Sequence, residues 1–293
     1  MSTLAIVNAT EVGEALVARL HEDGRKVISG VDDPSFKKMA AESRLVLVDA
    51  RREQLPKLLR RLGEFLDPNH LVVHTVHGIG SDISVSDLVL AETSVRRTGV
   101  LAGPLLISAL RKGSPTAAVI ASRHPEVVEE FSEALSTPRL RVYRSRDPVG
   151  VALSASLSEL AVLACGVADA MKLGAAARAL LVVRAVREIS RLVQYVGGEA
   201  ITATGLAGLG DLLVRGADTT SPSYRVGHAL IAKEEVDALA LADLKHTADS
   251  LRALDPARRV SAHLFTGVAA LLDGNTTAEV LVDQLMSIKV LDE

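Results

Sequence analysis

The feature that most constrains this chain is a change of hydrophobic period at Asp147-Pro148. Before it, short apolar runs alternate with helical patterns. Leu4–Val7, Lys26–Ser29, Arg44–Val48, Leu71–His74, Val100–Ala102, Ala117–Ala121 and Arg139–Tyr143 read as strands. Val12–Leu20, Gln54–Leu66 and Pro125–Leu135 read as helices between them. Strands that alternate with helices predict a doubly wound parallel sheet covered on both faces. After the break, Val149–Leu192 keeps an almost unbroken helical period, interrupted at Gly174, and the rest to Glu293 is mostly helical. The expected fold is therefore α/β followed by all-α, with domains at 1–147 and 148–293.

Composition narrows the function classes. The 293 residues suffice for two ordinary domains. Aromatics make up 2% with no Trp, so Leu, Val, Ile and Ala must build the core. The same scarcity removes the stacking platforms that single-stranded nucleic acid needs, and a net charge of -3 leaves no basic footprint. No nucleic-acid partner is expected. The lone Cys165 excludes an intrachain disulfide, fits a reducing cytoplasm, and lies in an apolar run that suits an inert buried thiol. MSTLAIVNAT lacks the basic start of a signal peptide. The apolar run Leu153–Met171 contains Ser, Glu and Asp, which favours a buried domain helix over a membrane span.

The first strand leads into Asn8-Ala9-Thr10-Glu11-Val12-Gly13, where a Rossmann-like domain would carry GxGxxG. Only the third glycine is present, as Gly13; Asn8 and Thr10 hold the other two positions. Asn8 can supply a left-handed turn residue. Thr10 is expected to put a branched side chain where a pyrophosphate would lie, and Glu11 adds a competing negative charge at the helix N-terminus. Asp32, after the second strand, would argue against NADP, while Asp33-Pro34 reads equally well as a polar turn. These vestigial positions predict no cofactor, or NAD(H) held only weakly.

Further along, GVAD at Gly166–Asp169 precedes an MKLG turn and a long helix with Arg184, Arg187 and Arg191 on one stripe. GLAGLGDL ends at Asp211-Leu212, with preserved spacing to Val226-Gly227. This segment resembles the C-terminal domain of the NAD(P)-dependent glycerol-3-phosphate dehydrogenases. The resemblance implies hydride transfer between a nicotinamide and the carbon bearing the oxygen of dihydroxyacetone phosphate. It implies a lysine in an LKN triplet, where this chain has Leu157-Ser158-Glu159, and a second lysine where this chain has His77. A family threonine is replaced by Arg215 and an Arg-Asn pair by Pro222-Ser223. The polar family segment after Gly103-Pro104 becomes Leu105-Leu106. Asp211 matches, although capping of the turn after Gly210 explains it as well.

These departures predict a noncatalytic scaffold, regulator or sensor acting through an unidentified protein partner. The alternative is an NAD(P)-dependent oxidoreductase with an altered substrate, using His77 as the acid and Arg215 or Arg225 as an anion clamp, or a divergent glycerol-3-phosphate dehydrogenase. His74 and His77 lack a third ligand, so no metal is expected. The resemblance also implies a homodimer.

Overall fold

The computed structural model describes residues 3–76, 84–255 and 259–287, in two units, Met1–Ala152 and Leu153–Glu293. Among the described residues the first unit holds seven strands: β1 (Leu4–Asn8), β2 (Val27–Ser29), β3 (Leu45–Asp49), β4 (Leu71–His74), β5 (Arg97–Ala102), β6 (Thr116–Ala121) and β7 (Leu140–Ser145). They form one sheet in the order β2-β1-β3-β4-β5-β6-β7. Successive side chains on a strand point to opposite faces, so each central strand feeds two cores. Leu4, Ile6, Leu45 and Leu47 join the layer of α1 (Glu11–Glu22), α5 (Ile107–Lys112) and α6 (Pro125–Leu135). Ala5, Val7, Val46 and Val48 join that of α2 (Asp33–Glu42), α3 (Leu55–Gly63) and α4 (Val85–Glu92).

One pair departs from the expected parallel arrangement: β5 and β6 run antiparallel. A parallel crossover must carry the chain back along the strand, roughly 20 Å for six residues. Instead of crossing over, the chain passes through the six-residue α5 and returns beside β5 in the opposite direction. The segment after β2 also differs from the polar turn that Asp33-Pro34 suggests. Asp32 caps α2, accepting from the Ser35 N–H at 2.9 Å, and Pro34 sits in the first turn. There its missing N–H and fixed φ favour a helix start.

The second unit contains most of α7 (Pro148–Ala170), followed by α8 (Gly174–Tyr195), α9 (Asp211–Ala217), α10 (Pro222–Ala232), α11 (Ala238–Leu254), α12 (His263–Leu272) and α13 (Ala278–Ser287). Among the described residues α7 alone is long and apolar enough to cross a membrane. However, 89% of its apolar window is buried, as a core helix requires. α7 and α10 cross with backbones nearly touching: Gly166 faces the Tyr224 carbonyl and Gly227 faces the Leu163 carbonyl. Asp169 ties the neighbouring helices together, accepting from the Tyr224 hydroxyl at 2.8 Å and pairing with Arg178 at 2.5 Å. The GVAD and VG signatures are therefore packing devices at this crossing.

Glu188, buried on α8, accepts from the Leu264 and Phe265 N–H groups that open α12, at 3.0 and 3.2 Å. Burial pushes its carboxyl up to about 7, against the pull of those two N–H groups and of Arg184 and Arg191. An acid raised on folding binds its proton more tightly in the native state, so its contribution is lost as pH rises. Relative to Glu188→Gln, the wild-type chain should lose about 2–3 kcal/mol of stability between pH 5 and pH 8. Urea unfolding of both proteins at the two pH values checks this; parallel stability curves would contradict it.

Candidate functional site

The turn between β1 and α1 departs from a GxGxxG turn in its hydrogen bonding. Asn8 ends β1 without adopting the left-handed conformation that sequence suggested: among the described non-glycine residues, only Lys172 and Lys233 have positive φ. The strand simply continues in register with β3, Asn8 opposite Asp49, so no reversal is needed there. Thr10 caps α1, its hydroxyl accepting from the Val12 N–H at 3.2 Å. The same hydroxyl donates to Asp49 Oδ2 at 2.5 Å, turning the branched side chain inward against Asp49.

Asp49 was not anticipated as a site residue. It is 3% exposed at the C-terminal end of β3, and its Oδ2 also accepts from the N–H groups of Thr10 (3.2 Å) and Gly13 (3.0 Å). The Thr75 hydroxyl donates to Oδ1 at 2.7 Å. The available signal was an acid ending an otherwise apolar strand, LVLVD. Gly13 keeps its packing role, because a Cβ there would run into the Asp49 carboxylate and the Asn8 backbone. Glu11 is exposed and reaches Arg111 at 3.5 Å. Asp32 is exposed, and its carboxyl is held below the ordinary range by hydrogen bonds from the Ser35 side chain and backbone.

The turn offers a dinucleotide the N-terminus of a twelve-residue helix, and the buried Asn8 Oδ1 has no protein donor among the described residues. Asn8, Thr10 and Gly13 are the residues that would line the phosphates, and Asp32 the one beyond the second strand.

The helical unit gathers Glu159, Asp211, Arg215 and Ser223. GLAGLGDL closes as a tight turn: after the 3₁₀ turn Ala200–Thr204, Leu206–Gly210 forms a π turn leading into α9. A Cβ on Gly208 would strike the Ala203 carbonyl, which accounts for that glycine. Asp211, buried in the first turn of α9, faces Arg215 one turn later. Nε of Arg215 donates to Asp211 Oδ1 at 2.9 Å, Nη2 to Asp211 Oδ2 and Nη1 to Glu159 Oε1. The Ser223 hydroxyl donates to Glu159 Oε2. Asp211 is thus the partner of Arg215 and makes no cap on the turn after Gly210.

Arg215 is a different group from the free anion clamp that sequence suggested. Burial disfavours its charge, but Asp211 and Glu159 outweigh that and hold its pKa above the ordinary value. Burial pushes the Asp211 carboxyl up, against the opposing pull of Arg215. Glu159, which stands in the triplet where the family carries LKN, is neutralised by Arg215. Nothing in its own segment predicts this, because Arg215 lies 56 positions away.

Ser158 is fully buried; its hydroxyl lies 2.8 Å from the Ser154 carbonyl, 3.2 Å from that of Gly208 and 3.4 Å from that of Ala207. It locks α7 to the π turn. Pro222 opens α10, and Arg225 lies exposed on it. His77 lies outside the described residues. His74 is buried, its ring nitrogens 3.0 Å from the Val76 carbonyl and 3.0 Å from the Ser86 hydroxyl. Burial pushes the Cys165 thiol up to about 11, so it stays protonated at neutral pH.

Comparison with known proteins bears on both halves. The family model for the C-terminus of NAD-dependent glycerol-3-phosphate dehydrogenase matches residues 147–283. The glycerol-3-phosphate dehydrogenase (NAD(P)+) of Rhizobium etli is 31% identical over 98% of this chain and 90% of its own length. That of Rhizobium johnstonii is 30% identical over 96% and 88%. Among solved structures, the glycerol-3-phosphate dehydrogenase of Coxiella burnetii superposes with a TM-score of 0.85 at 25% identity, covering 98% of this chain and 99% of that one. The Saccharomyces cerevisiae enzyme, at 13% identity, 97% and 99% coverage and a TM-score of 0.78, shares the fold. The expectation of no cofactor does not stand against these findings, since relatives matched along nearly the whole chain are named for NAD(P)+.

Proposed function

Because this chain belongs to the glycerol-3-phosphate dehydrogenase family, we propose that it is a divergent NAD(P)-dependent dehydrogenase with a rebuilt substrate site. Its reaction is hydride transfer to or from the oxygen-bearing carbon of a small ketone or alcohol of the dihydroxyacetone phosphate type. The observation that carries this reading is the Arg215 cluster. The chain lacks the lysine at Ser158, but a half-buried, permanently charged guanidinium joins residues from three segments that stand where the family's motifs lie. Charge has been relocated between positions. The noncatalytic reading rested on counting losses residue by residue, and the cluster offers a compensation for the largest of them.

The nicotinamide, when bound, supplies or accepts the hydride. The chain's own task is to hold the carbonyl, stabilise its developing negative charge and carry the proton. Guanidinium offers five N–H donors, of which three meet carboxylates, so two remain to meet a substrate oxygen. A fixed cation aimed at developing charge lowers the barrier without reorganising. Arg215 does not give up a proton at neutral pH, so its part is to hold charge, and the proton comes from another group.

Purified protein should oxidise NADH or NADPH in the presence of dihydroxyacetone phosphate, followed at 340 nm. Arg215→Lys, which keeps the charge but not the fork, should lower kcat by about 10²–10³ with the fold intact. Absence of turnover with dihydroxyacetone phosphate and glycerol 3-phosphate would remove this reading. An unchanged kcat in the variant would remove the role of Arg215.

A further inference from the structure

The amide groups that receive a pyrophosphate in a dinucleotide-binding turn already hold an anion here, the side chain of Asp49. We propose that Asp49 is an internal occupant of the cofactor cradle and sets the affinity for the nucleotide, an inference that rests on the cofactor reading above. Three observations converge. The carboxylate takes the N–H groups of Thr10 and Gly13 and the hydroxyl of Thr10 on one oxygen, and the hydroxyl of Thr75 on the other. It is almost fully buried, so all of its hydrogen bonding comes from the protein. It also lies against Gly13, the one glycine of the fingerprint that is present, where any Cβ would collide with it.

Placement explains why this acid reaches the cradle. β3 lies beside β1 in parallel register, with Asp49 opposite Asn8, so its side chain stands at the C-terminal edge of the sheet where the helix begins. Parallel α/β sheets bind phosphates at this edge, using the N-terminal amides of the following helix and the positive end of its dipole. A carboxylate satisfies the same donors through the same physics. A diphosphate arriving there must displace the carboxylate or share donors with it, and two anions repel at such a distance. Thr10 reinforces the arrangement, since its hydroxyl bonds both Asp49 and the Val12 N–H and holds the turn closed. Asp49 therefore lowers the affinity for the cofactor, acting as a competitor for its phosphates.

The test is calorimetric titration of the full-length wild type, Asp49→Ala and Asp49→Asn with NADH and, separately, with inorganic pyrophosphate. Melting curves confirm that each variant is folded. The alanine variant should bind both ligands at least about tenfold more tightly than wild type, the scale of a few charge-assisted contacts regained. The asparagine variant keeps the volume and removes the charge, so its affinity should lie between the two. It carries the test if the alanine variant fails to fold. Affinities unchanged within twofold in folded variants overturn the proposal, whether wild type binds NADH well or not at all. If Asp49→Ala gains pyrophosphate while no form binds NADH, the internal occupant stands and the cofactor reading falls. If all forms bind NADH equally, the cofactor reading stands and the occupant falls.

Discussion

Gly227→Ala should lower the unfolding free energy by about 3 kcal/mol or more, although alanine is intrinsically better than glycine in a helix by about 1 kcal/mol. Gly227 lies inside α10, and a methyl group there would drive into the Leu163 carbonyl of α7, far inside van der Waals contact. The obstacle is helix backbone, which cannot rotate away like a side-chain end. The two helices must separate, opening the packing of buried Leu163, Val167 and Val226. Gly166→Ala should act similarly, because its Cβ would meet the Tyr224 carbonyl and the His228 amide. Gly210→Ala is the control: its nearest neighbour would be a flexible Leu206 methyl at 3.3 Å, so its effect should stay within about 1 kcal/mol. Chemical denaturation of the three variants tests the set. A Gly227→Ala protein as stable as the control would show that the crossing is not a close backbone approach.

The second large effect is expected at Arg215. Arg215→Ala leaves Asp211 and Glu159 facing each other without their shared cation, and Asp211 is buried. Removing one partner of a buried pair costs about 3–5 kcal/mol; the partial exposure of Arg215 and Glu159 places this cluster near 3. The loss belongs to the stranded carboxylates, so removing their charge should repair it. Arg215→Ala combined with Asp211→Asn and Glu159→Gln should recover most of the stability and none of the proposed turnover. A single variant that unfolds at the wild-type denaturant midpoint would show that the ion pairs contribute nothing measurable. A triple variant no more stable than the single would place the loss in packing by the arginine side chain.

These expectations also show which parts of the molecule were open to reading. The strands β1, β2, β3, β4, β6 and β7 and the helices α1, α3 and α6 lie within a few residues of the runs marked by apolar period. Period is a local property and follows from which face must be buried. The helices α2, α4 and α5 were not marked. α2 opens with a proline in its first turn, and α5 has only six residues, too few to establish a period. The antiparallel β5-β6 pair was also missed, since the apolar period of a strand carries no information on its direction.

The candidate site divides in the same way. Positions 158, 159, 211, 215 and 223 could be found by matching motifs, and their chemistry could be judged one residue at a time. So judged, Glu159 stands in place of the family's Asn and Arg215 is a free anion clamp. Together they form one network, because α7, α9 and α10 bring residues 159, 211, 215 and 223 to one place. Asp49 went unnoticed for the same reason: its significance lies in Thr10 and Gly13, 39 and 36 positions earlier.

The sequence by itself determined the two-part organisation, the doubly covered sheet, the all-helical second half and the family. Each depends on periodicity and motif spacing along neighbouring residues. Only the tertiary structure decided that the amides of Thr10 and Gly13 hold a carboxylate and that Arg215 joins Glu159 and Asp211 in one cluster. Hydrogen bonds and ion pairs act over about 3 Å, and chain positions that far apart come within that distance only after the sheet and helices have packed.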